Sequence, residues 1–398
     1  MRILYHHRTA SKDGQAVHIE EMIQALRDEG HEVRVVGPTA DGDNGMGAEV
    51  GWVRRLRDRL PKAVYECLEI GYSLLAYLRL AKAVREFRPE MVYERYNLYL
   101  LAGLMLKWRY GLPLLLEVNA PLVLERMRFG GLGLPWLGRW AEGLVWRGAD
   151  VVLPVTRVLA GHVTARGVSP ERVVVIPNGI NEAHFASAPT PQAAKDSLGW
   201  TGALVLGFTG FVRDWHGVDR VLRWLAQPET PAHARLLVVG DGPARAGLEH
   251  LARDLGITDR VRFTGVVPRD QVPALVAAFD IALQPAVVSY ASPLKLFEYL
   301  ALGKAIVAPR QPNIEEVLTD GDNAVLFAGD EAGALERKLT RLCADAELRL
   351  RLATGAAASI SRLRLTWKGN AQRVAHMGAQ LSQGLPAADL PPCVIESA

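Results

Sequence analysis

Cysteine is scarce in this sequence. Only Cys67, Cys343 and Cys393 occur among the 398 residues, and no two of them have Cys-x-x-Cys spacing. A scattered set with an odd number argues against a disulfide framework and against a structural zinc site, and it is typical of a reducing compartment. We therefore expect a cytoplasmic protein.

Long apolar runs are also missing. No stretch of about 18 apolar residues occurs, so we expect no transmembrane helix. The first residues, 1–8, contain two arginines and two histidines and have the pattern of a first strand. They lack the apolar run and cleavage site of a signal peptide, so none is expected.

An excess of charge of one sign is absent as well. The chain has 46 basic and 43 acidic residues, a formal net charge of +3, which gives no reason to expect nucleic acid as a partner. No Asp-x-Asp pair is accompanied by further potential ligands, so we expect neither a metal requirement nor a bound cofactor.

Short apolar runs alternate with helical patterns along most of the chain. Runs without period-2 alternation predict strands buried on both faces, and intervening helices predict parallel βαβ units. The sequence therefore predicts an α/β protein with two doubly wound parallel-sheet domains. The predicted strands are Arg2–Tyr5, Glu32–Val36, Met91–Tyr93, Leu114–Val118, Asp150–Pro154 and Val173–Ile176, then Ala203–Gly207, Arg235–Val239, Arg262–Phe263, Ile281–Gln284 and Ala305–Val307.

A segment without strand character separates the two predicted domains. Residues 183–198 contain Pro189 and Pro191 and lack apolar runs. We expect an N-terminal domain at 1–182 and a C-terminal domain at 183–365. Residues 366–398 are expected to form a late helix and a proline-containing tail.

The most informative stretch runs from Ser292 to Gly303. Ser292 is a good N-cap and Pro293 a good first helical residue, so a helix is predicted from Pro293 to about residue 302. The backbone N–H groups of Leu294 and Lys295 would then bind a diphosphate, with help from the ammonium group of Lys295. Glu298, one turn further on, can reach a ribose hydroxyl. The alternative is an ordinary capped helix with a Lys295–Glu298 ion pair.

Two glycine turns follow strands in the second half. Gly240 and Gly242 come after an apolar run, but Arg245 stands where the third glycine of a dinucleotide fingerprint would be, which argues against hydride transfer. The stretch 207–217 offers Arg213 and His216 as hydrogen-bond donors. An ordinary strand and loop is the alternative for this stretch.

Together these segments resemble glycosyltransferase family 4. The resemblance covers nearly the whole chain and is strongest over 150–310. The matching motifs are Gln15–Val36, Val175–Asn181, Val238–Pro243, Arg260–Gly265 and Ser292–Gly303. It implies a GT-B fold, in which two Rossmann-like domains face a central cleft. The domain at 1–182 would bind the acceptor, the domain at 183–365 would bind the nucleotide-sugar, and the helix within 366–398 would cross back to the N-terminal domain.

The activity implied by this resemblance is transfer of a sugar from a nucleotide-diphospho-sugar to a glycan or lipid-linked acceptor. The expected outcome is retention of anomeric configuration, and the expected role is polysaccharide or glycolipid biosynthesis. The implied catalytic residues are Lys295, Arg213, His18 and Asn119. The implied donor-binding residues are Gly14, His216, Gly240, Gly242, Phe263, Ser292, Leu294 and Glu298.

The sequence departs from the family pattern at several positions. Tyr290 stands in place of the first motif glutamate, and Phe211 and His216 stand in place of an arginine and a lysine. Only Gly14 remains of an N-terminal glycine pair, and a histidine is missing near Glu117 and Asn119. Alternatives are a non-catalytic nucleotide-sugar-binding protein, a nucleotide-sugar epimerase or a phosphorylase on the same fold.

Two groups in the N-terminal half are candidates for ligand contact. Gly14, Gln15 and His18 lie where a loop enters a predicted helix, and His18 is either a phosphate or acceptor ligand or a core-edge histidine. Glu117 and Asn119 end a predicted buried strand, where ligand groups of open α/β sheets usually lie. A solvent-facing strand end is the alternative for this pair.

A basic segment precedes an amphipathic pattern. Residues Arg54–Lys62 carry five positive charges and one negative charge. Apolar residues at helical spacing follow from Tyr65 to Leu78. This pattern is typical of peripheral contact with anionic lipid at the inner face of the cell membrane, or of a solvated loop before a core-facing helix.

Overall fold

The structure is a computed structural model that describes residues 1–10, 14–38 and 59–385. Its described residues divide into two compact units. Unit 1 contains Met1–Pro177, the short segment Tyr290–Ser292 and the last helix, and unit 2 contains Asn178–Ser289 and Pro293–Thr366. The chain therefore passes from one unit to the other four times.

Unit 1 is built on a five-stranded parallel sheet with the order β2-β1-β3-β4-β5. Its strands are β1 (Arg2–His6), β2 (Glu32–Val36), β3 (Met91–Arg95), β4 (Leu114–Val118) and β5 (Val151–Pro154). Its helices are α1 (Gly14–Asp28), α2 (Lys62–Phe87), α3 (Ala102–Tyr110), α4 (Leu122–Phe129), α5 (Pro135–Gly148), α6 (Arg157–Thr164) and, at the end of the chain, α16 (Trp367–Ser382).

The order of these strands reverses between β1 and β3. Since parallel crossovers are right-handed, the reversal places helices on both faces of the sheet. Strands β3, β4 and β5 are buried along their whole length, as expected for central strands of a parallel sheet, although β3 and β4 also bury Glu94, Arg95 and Glu117.

The last helix packs on the first one. The rings of His18 and Trp367 meet edge to face with centroids 4.8 Å apart, and the amide of Asn370 donates to the carbonyl of Pro177 at 2.7 Å. Lys368 Nζ lies 3.7 Å from a carboxylate oxygen of Glu29. Helix α16 is thus part of the hydrogen-bonded structure of unit 1.

Unit 2 contains a six-stranded parallel sheet with the order β11-β10-β9-β6-β7-β8. Its strands are β6 (Leu204–Thr209), β7 (Ala234–Val239), β8 (Val261–Phe263), β9 (Ile281–Leu283), β10 (Ala305–Pro309) and β11 (Ala324–Phe327). Its helices are α7 (Glu182–Phe185), α8 (Pro191–Ser197), α9 (Val218–Leu225), α10 (Arg245–Asp254), α11 (Val272–Ala277), α12 (Leu294–Ala301), α13 (Pro312–Glu315), α14 (Ala334–Ala344) and α15 (Ala346–Arg362).

The order of this sheet reverses between β6 and β9. The prediction of two α/β domains with parallel sheets is confirmed by these two sheets. A cleft faced by both domains stays a prediction.

One predicted strand was wrong, and one strand was not predicted. Residues 173–176 form one isolated bridge, between Val152 and Val173, instead of a strand. Two further backbone N–H groups, those of Val174 and Ile176, still donate to the carbonyls of Val152 and Pro154. The segment therefore follows β5 without completing a ladder. Strand β11, only four residues long, was missed because so short an apolar run has no distinctive period.

None of the helices in the described ranges is long and apolar enough to cross a bilayer. Most of the basic segment, residues 54–58, lies outside the described residues. Arg59 and Lys62 are described, and both are exposed to solvent.

Candidate functional site

Helix α12 begins at Leu294, after the loop that follows β9, and its first turns lie beside the carboxyl end of β6. Pro293 occupies the N-cap position with φ −72° and ψ 117°, so the prediction that Ser292 caps the helix was wrong by one residue. A ring that fixes φ still allows the extended ψ that an N-cap requires. The N–H of Leu296 already donates to the carbonyl of Pro293 at 3.1 Å. The first two helical donors are therefore those of Leu294 and Lys295, as predicted.

Lys295 lies over an aromatic ring. Its Nζ is 3.8 Å from the centroid of Phe208, the penultimate residue of β6. The side chain also passes close to Gly210, where an added Cβ would be 3.4 Å from the lysine Cε. Sequence reasoning missed Phe208, because nothing in an apolar strand residue signals contact with a cation.

The ion pair proposed as an alternative between Lys295 and Glu298 does not form. Among the described residues, no carboxylate oxygen lies within the 4.0 Å salt-bridge distance of Lys295 Nζ. Burial lowers the pKa of Lys295 to about 7, although the charge of Glu298 acts in the opposite direction. An anion that docked here would favour the charged form of the amine and raise this pKa.

Glu298 is held one turn further along α12. Its carboxylate accepts a hydrogen bond of 3.3 Å from the hydroxyl of Thr209, the last residue of β6, and the Thr209 N–H donates to the Tyr299 hydroxyl at 2.9 Å. Burial raises the pKa of Glu298, while Thr209 and Lys295 lower it. The carboxylate keeps acceptor capacity for a hydroxyl group.

His216 is a buried, neutral hydrogen-bond donor whose ring packs against that of Phe208. Its Nδ1 accepts the backbone N–H of Arg213 at 3.1 Å, and its ring lies 5.2 Å from that of Phe208. Burial, with Lys295 and Arg213 nearby, holds the pKa of His216 well below its usual value. With Nδ1 occupied as an acceptor, the proton of the neutral ring resides on Nε2, which is a donor.

Arg213 lies at the outer side of this group. It is exposed, and its guanidinium is stacked 4.9 Å above the ring of Phe211. The structure thus brings Lys295, Glu298 and His216 to the end of β6, with Arg213 bonded to His216 through its backbone. We call Phe208, Thr209, Arg213, His216, Lys295 and Glu298 the β6 cluster.

Two predicted donor-binding glycines allow neighbouring loops to approach each other closely. A Cβ on Gly240 would lie 2.2 Å from the carbonyl oxygen of Gly210, and one on Gly242 would lie 2.2 Å from that of Val212. Gly240 also has φ +126°, which favours glycine. Contact of either glycine with a donor stays a prediction. The same holds for Phe263, the half-buried last residue of β8.

In unit 1, Glu117 is the centre of a second cluster. This buried residue, the penultimate one of β4, accepts hydrogen bonds from the Tyr93 hydroxyl at 2.6 Å and from Arg95 and Asn119. His18 Nε2 lies 2.9 Å from the oxygen that accepts from Tyr93, whereas Arg95 and Asn119 donate to the other oxygen. Burial alone would raise the pKa of Glu117, but His18 and Arg95 hold it well below its usual range. We call these five residues the Glu117 cluster.

This geometry favours the core-edge interpretation of His18. The ring is buried, ion-paired with Glu117 and packed against Trp367. Asn119 is half-buried and spends one amide hydrogen on Glu117. Gly14 is the exposed first residue of α1. A catalytic role for His18 and Asn119 stays a prediction.

Tyr290, which stands in place of the motif glutamate, belongs to unit 1. Its hydroxyl donates to Glu125 at 3.2 Å, and its carbonyl accepts from the Thr156 hydroxyl at 3.0 Å. Burial, together with Glu125, raises the pKa of Tyr290 above its usual value. The position therefore carries a phenol bonded to a carboxylate that comes from α4.

No group of three or more His, Cys, Asp or Glu side chains within the described ranges is arranged to hold a metal ion. The positive groups of the β6 cluster come from lysine and arginine, and its further donors come from histidine, threonine and backbone N–H.

Two family models match the chain in succession. Residues 13–179 match a glycosyl transferase 4-like domain, and residues 203–345 match the glycosyl transferases group 1. Together they cover most of the chain, and their border falls between the two sheets.

A curated relative is also a glycosyltransferase. The chain is 31% identical over 298 residues to the D-inositol 3-phosphate glycosyltransferase of Salinispora tropica, which is 69% of this chain and 61% of that protein. The match thus spans about three fifths of the relative's length.

Solved structures share the fold over nearly the whole chain. The sucrose-phosphate synthase of Thermosynechococcus elongatus superimposes with a TM-score of 0.78 at 16% identity, covering 96% of this chain and 100% of that one. The Anabaena protein HepE in complex with UDP-glucose gives a TM-score of 0.74 at 19% identity, with coverage of 96% and 100%. Both likenesses establish the fold.

Proposed function

Because the chain belongs to the family 4-like glycosyltransferases of the GT-B fold, we propose that it transfers a sugar from a nucleotide-sugar to an acceptor. The donor is a nucleotide-diphospho-sugar, and its diphosphate binds at the β6 cluster. HepE, which shares the fold, has been solved in complex with UDP-glucose. This complex supports a nucleotide-diphospho-sugar as the donor.

The main support for the proposal is that several groups able to bind an anion lie together near the start of α12. Two helical N–H donors, the neutral donor His216 and an amine that has no carboxylate partner among the described residues lie at the end of β6. The sheet order of unit 2 reverses between β6 and β9, which is where open α/β sheets bind ligands. A helix N-terminus and a lysine together suit a diphosphate.

The reaction would break the bond between the anomeric carbon and the diphosphate. Negative charge grows on the leaving phosphate, and the protein helps most by fixing positive groups there. Lys295, the amides of Leu294 and Lys295, Arg213 and the Nε2 proton of His216 take this role. Each fixed donor of this kind is typically worth about 3 kcal/mol in barrier height.

We further propose retention of the anomeric configuration, as the family resemblance implies. The leaving phosphate oxygen accepts the proton of the acceptor hydroxyl, so no side chain has to act as a dedicated base. Glu298 accepts a ribose hydroxyl of the nucleotide, because its carboxylate lies one helical turn from the phosphate-binding amides.

The acceptor is the least constrained part. A glycan or lipid-linked sugar in polysaccharide or glycolipid biosynthesis is our first candidate, from the family resemblance. The name of the Salinispora relative favours a second candidate, a phosphorylated polyol such as inositol 3-phosphate. In unit 1, Glu117 and Asn119 are the candidates for contact with the acceptor or the sugar, whereas Gly14 is a predicted donor-binding residue.

The test is a donor panel assayed with Lys295→Ala and Glu298→Ala. UDP-, GDP- and ADP-sugars are first screened by thermal shift, since a ligand that binds only the folded state raises the melting temperature. We expect Lys295→Ala to lower kcat/KM at least about 100-fold with the donor that binds. Glu298→Ala should raise the Kd for the nucleotide, while the chain keeps its fold by circular dichroism.

Lys338→Ala is the matched control, because Lys338 lies on α14 of the same unit outside the β6 cluster. It should behave like the parent protein. If both cluster variants retain activity within a fewfold of the parent, the donor site is misplaced. Donor binding without nucleotide release would instead support a non-catalytic binding protein.

A further inference from the structure

Exposed apolar side chains concentrate at one corner of unit 1. Helix α4, the start of α5 and the first turns of α2 carry a tight group of them. Phe129 is 59% exposed and Trp136 is 64% exposed, which is unusual for side chains of this size. The apolar corner consists of Val64, Leu68, Leu124, Met127, Phe129, Trp136 and Trp140.

Hydrogen bonds hold the parts of this corner together. Lys62 Nζ donates to the carbonyl of Gly130 at 2.9 Å, and the Glu66 carboxylate accepts the N–H groups of Gly133 and Leu134 at 2.6 and 2.8 Å. The first turns of α2 therefore abut the turn that joins α4 to α5. The exposed side chains on these elements form one neighbourhood on a fixed backbone.

The charge around the apolar corner has one sign. In the described segments 59–75 and 122–142, the exposed charged residues are Arg59, Lys62, Arg128 and Arg139. The four acidic residues of the same segments, Glu66, Glu69, Glu125 and Glu142, are buried or half-buried and bonded within the unit. The exposed surface here is apolar, aromatic and cationic.

Three exposed leucines, Leu74, Leu75 and Leu78, lie further along α2, whereas the exposed apolar residues of unit 2 are scattered. In unit 2, Trp215, Val266 and Leu350 are exposed on separate elements. Single residues of this kind are normal on protein surfaces and need no partner. The grouping in unit 1 is of a different kind, because large apolar patches on a protein surface mark binding sites.

We propose that the apolar corner docks on the surface of an anionic lipid bilayer. Trp136, Trp140 and Phe129 enter the headgroup region, where amphipathic aromatic rings are favoured, and Arg128 and Arg139 face anionic headgroups. A surface with only basic exposed charges matches an anionic bilayer better than the mixed charges of a typical protein partner. The proposal concerns unit 1 alone and does not rest on the proposed donor site.

Trp108 provides a matched control within the same unit. It is 65% exposed, close to the value of Trp136. It lies in the last turn of α3, next to Lys107, whose Nζ donates to the carbonyl of Gly148 at the far end of α5. Trp136 lies in the first turn of α5, so the two tryptophans are separated by about the 20 Å length of that helix.

The experiment is co-sedimentation of the full chain with vesicles. We expect binding to vesicles of equal parts phosphatidylglycerol and phosphatidylcholine at low salt, and weaker binding to pure phosphatidylcholine or in high salt. Trp136→Ser with Trp140→Ser should lower the partition coefficient at least about tenfold. Arg128→Gln with Arg139→Gln should lower it roughly thirtyfold, at about fivefold for each lost charge.

Trp108→Ser should leave the partition coefficient unchanged. The proposal is overturned if the parent protein does not bind anionic vesicles, or if Trp108→Ser weakens binding as much as the double variant does. It is also overturned if the parent is an oligomer that Trp136→Ser with Trp140→Ser converts to monomer, since the corner would then bind a second copy. Equal melting temperatures of all variants would exclude loss of folding as the cause.

Discussion

The Glu117 cluster and the β6 cluster both combine a partly or fully buried carboxylate with nearby cations, but they differ in how fully the charges are paired. Glu117 lies against His18 and Arg95 and accepts from Tyr93 and Asn119. Within the part of the chain that the structure describes, Glu298 accepts a hydrogen bond only from a threonine hydroxyl, and Lys295 packs on an aromatic ring. A cluster that satisfies its own charges stabilises the fold, whereas one that leaves them unpaired is prepared for a charged ligand.

The largest expected difference between the clusters is in stability. Glu117→Ala leaves Arg95 and His18 buried without their carboxylate, which typically costs about 3–5 kcal/mol of unfolding free energy. Glu298→Ala removes one weak hydrogen bond from a half-buried group, at about 1 kcal/mol or less. Urea unfolding of both variants measures the two losses. Equal losses would contradict the distinction between a paired and an unpaired cluster.

The pH dependence of stability gives a second, smaller difference. The folded-state pKa of Lys295 is lowered to about 7, so in this range the unfolded chain binds more protons than the folded one. The stability of the parent protein relative to Lys295→Met should therefore be lowest at pH 6 and should rise as the pH increases from about 7 to 10. Urea unfolding at several pH values measures this trend.

Lys304 is the internal reference for this experiment. Burial lowers its pKa to about 8, and its Nζ donates to the carbonyl of Ala277 at 2.7 Å. Lys304 is unchanged in Lys295→Met. Its contribution to the pH dependence therefore cancels when the unfolding free energy of the variant is subtracted from that of the parent protein. A difference that stays constant from pH 6 to 10 would mean that Lys295 titrates normally.

The smallest predicted effect concerns the hydroxyl of Thr209. Thr209→Val removes the hydrogen bond to Glu298 and leaves the shape of the side chain nearly unchanged. We expect a loss of about 1 kcal/mol in unfolding free energy and a fewfold higher Kd for the nucleotide, because Glu298 is no longer held in place. Thr230→Val, in the same unit, is the control, since its hydroxyl bonds the carbonyl of Trp224 instead. An equal rise in Kd for both would assign the effect to stability alone.

Much of the fold could be predicted from local patterns. Runs such as Leu114–Val118 are apolar without alternation, so their burial on both faces follows from composition. The failure at 173–176 has a different origin, because that segment is apolar but meets its neighbour at a single bridge. Whether an apolar run completes a ladder depends on the tertiary structure and cannot be seen in the run itself.

The candidate site could be predicted only in part. Pro293 and Lys295 indicate a helix start that suits an anion, and that signal is local. The ring of Phe208 and the pairing of His18 with Glu117 join residues about 90–100 positions apart in sequence, which only the tertiary structure brings together. For His18, the sequence therefore left two interpretations with nothing to decide between them.

The short segment Tyr290–Ser292 belongs to unit 1, although the chain on either side of it belongs to unit 2. This limits which chimeras of this protein with its relatives can fold. A continuous C-terminal fragment that begins at Asn178 would contain Tyr290 but would lack Glu125 and Thr156, which hydrogen-bond to it. Recombination that imports a foreign second half must therefore bring a residue 290 that suits the resident helix α4. We expect these positions to be inherited as a set, so that chimeric enzymes tolerate substitution at 290 only together with a matching change at 125.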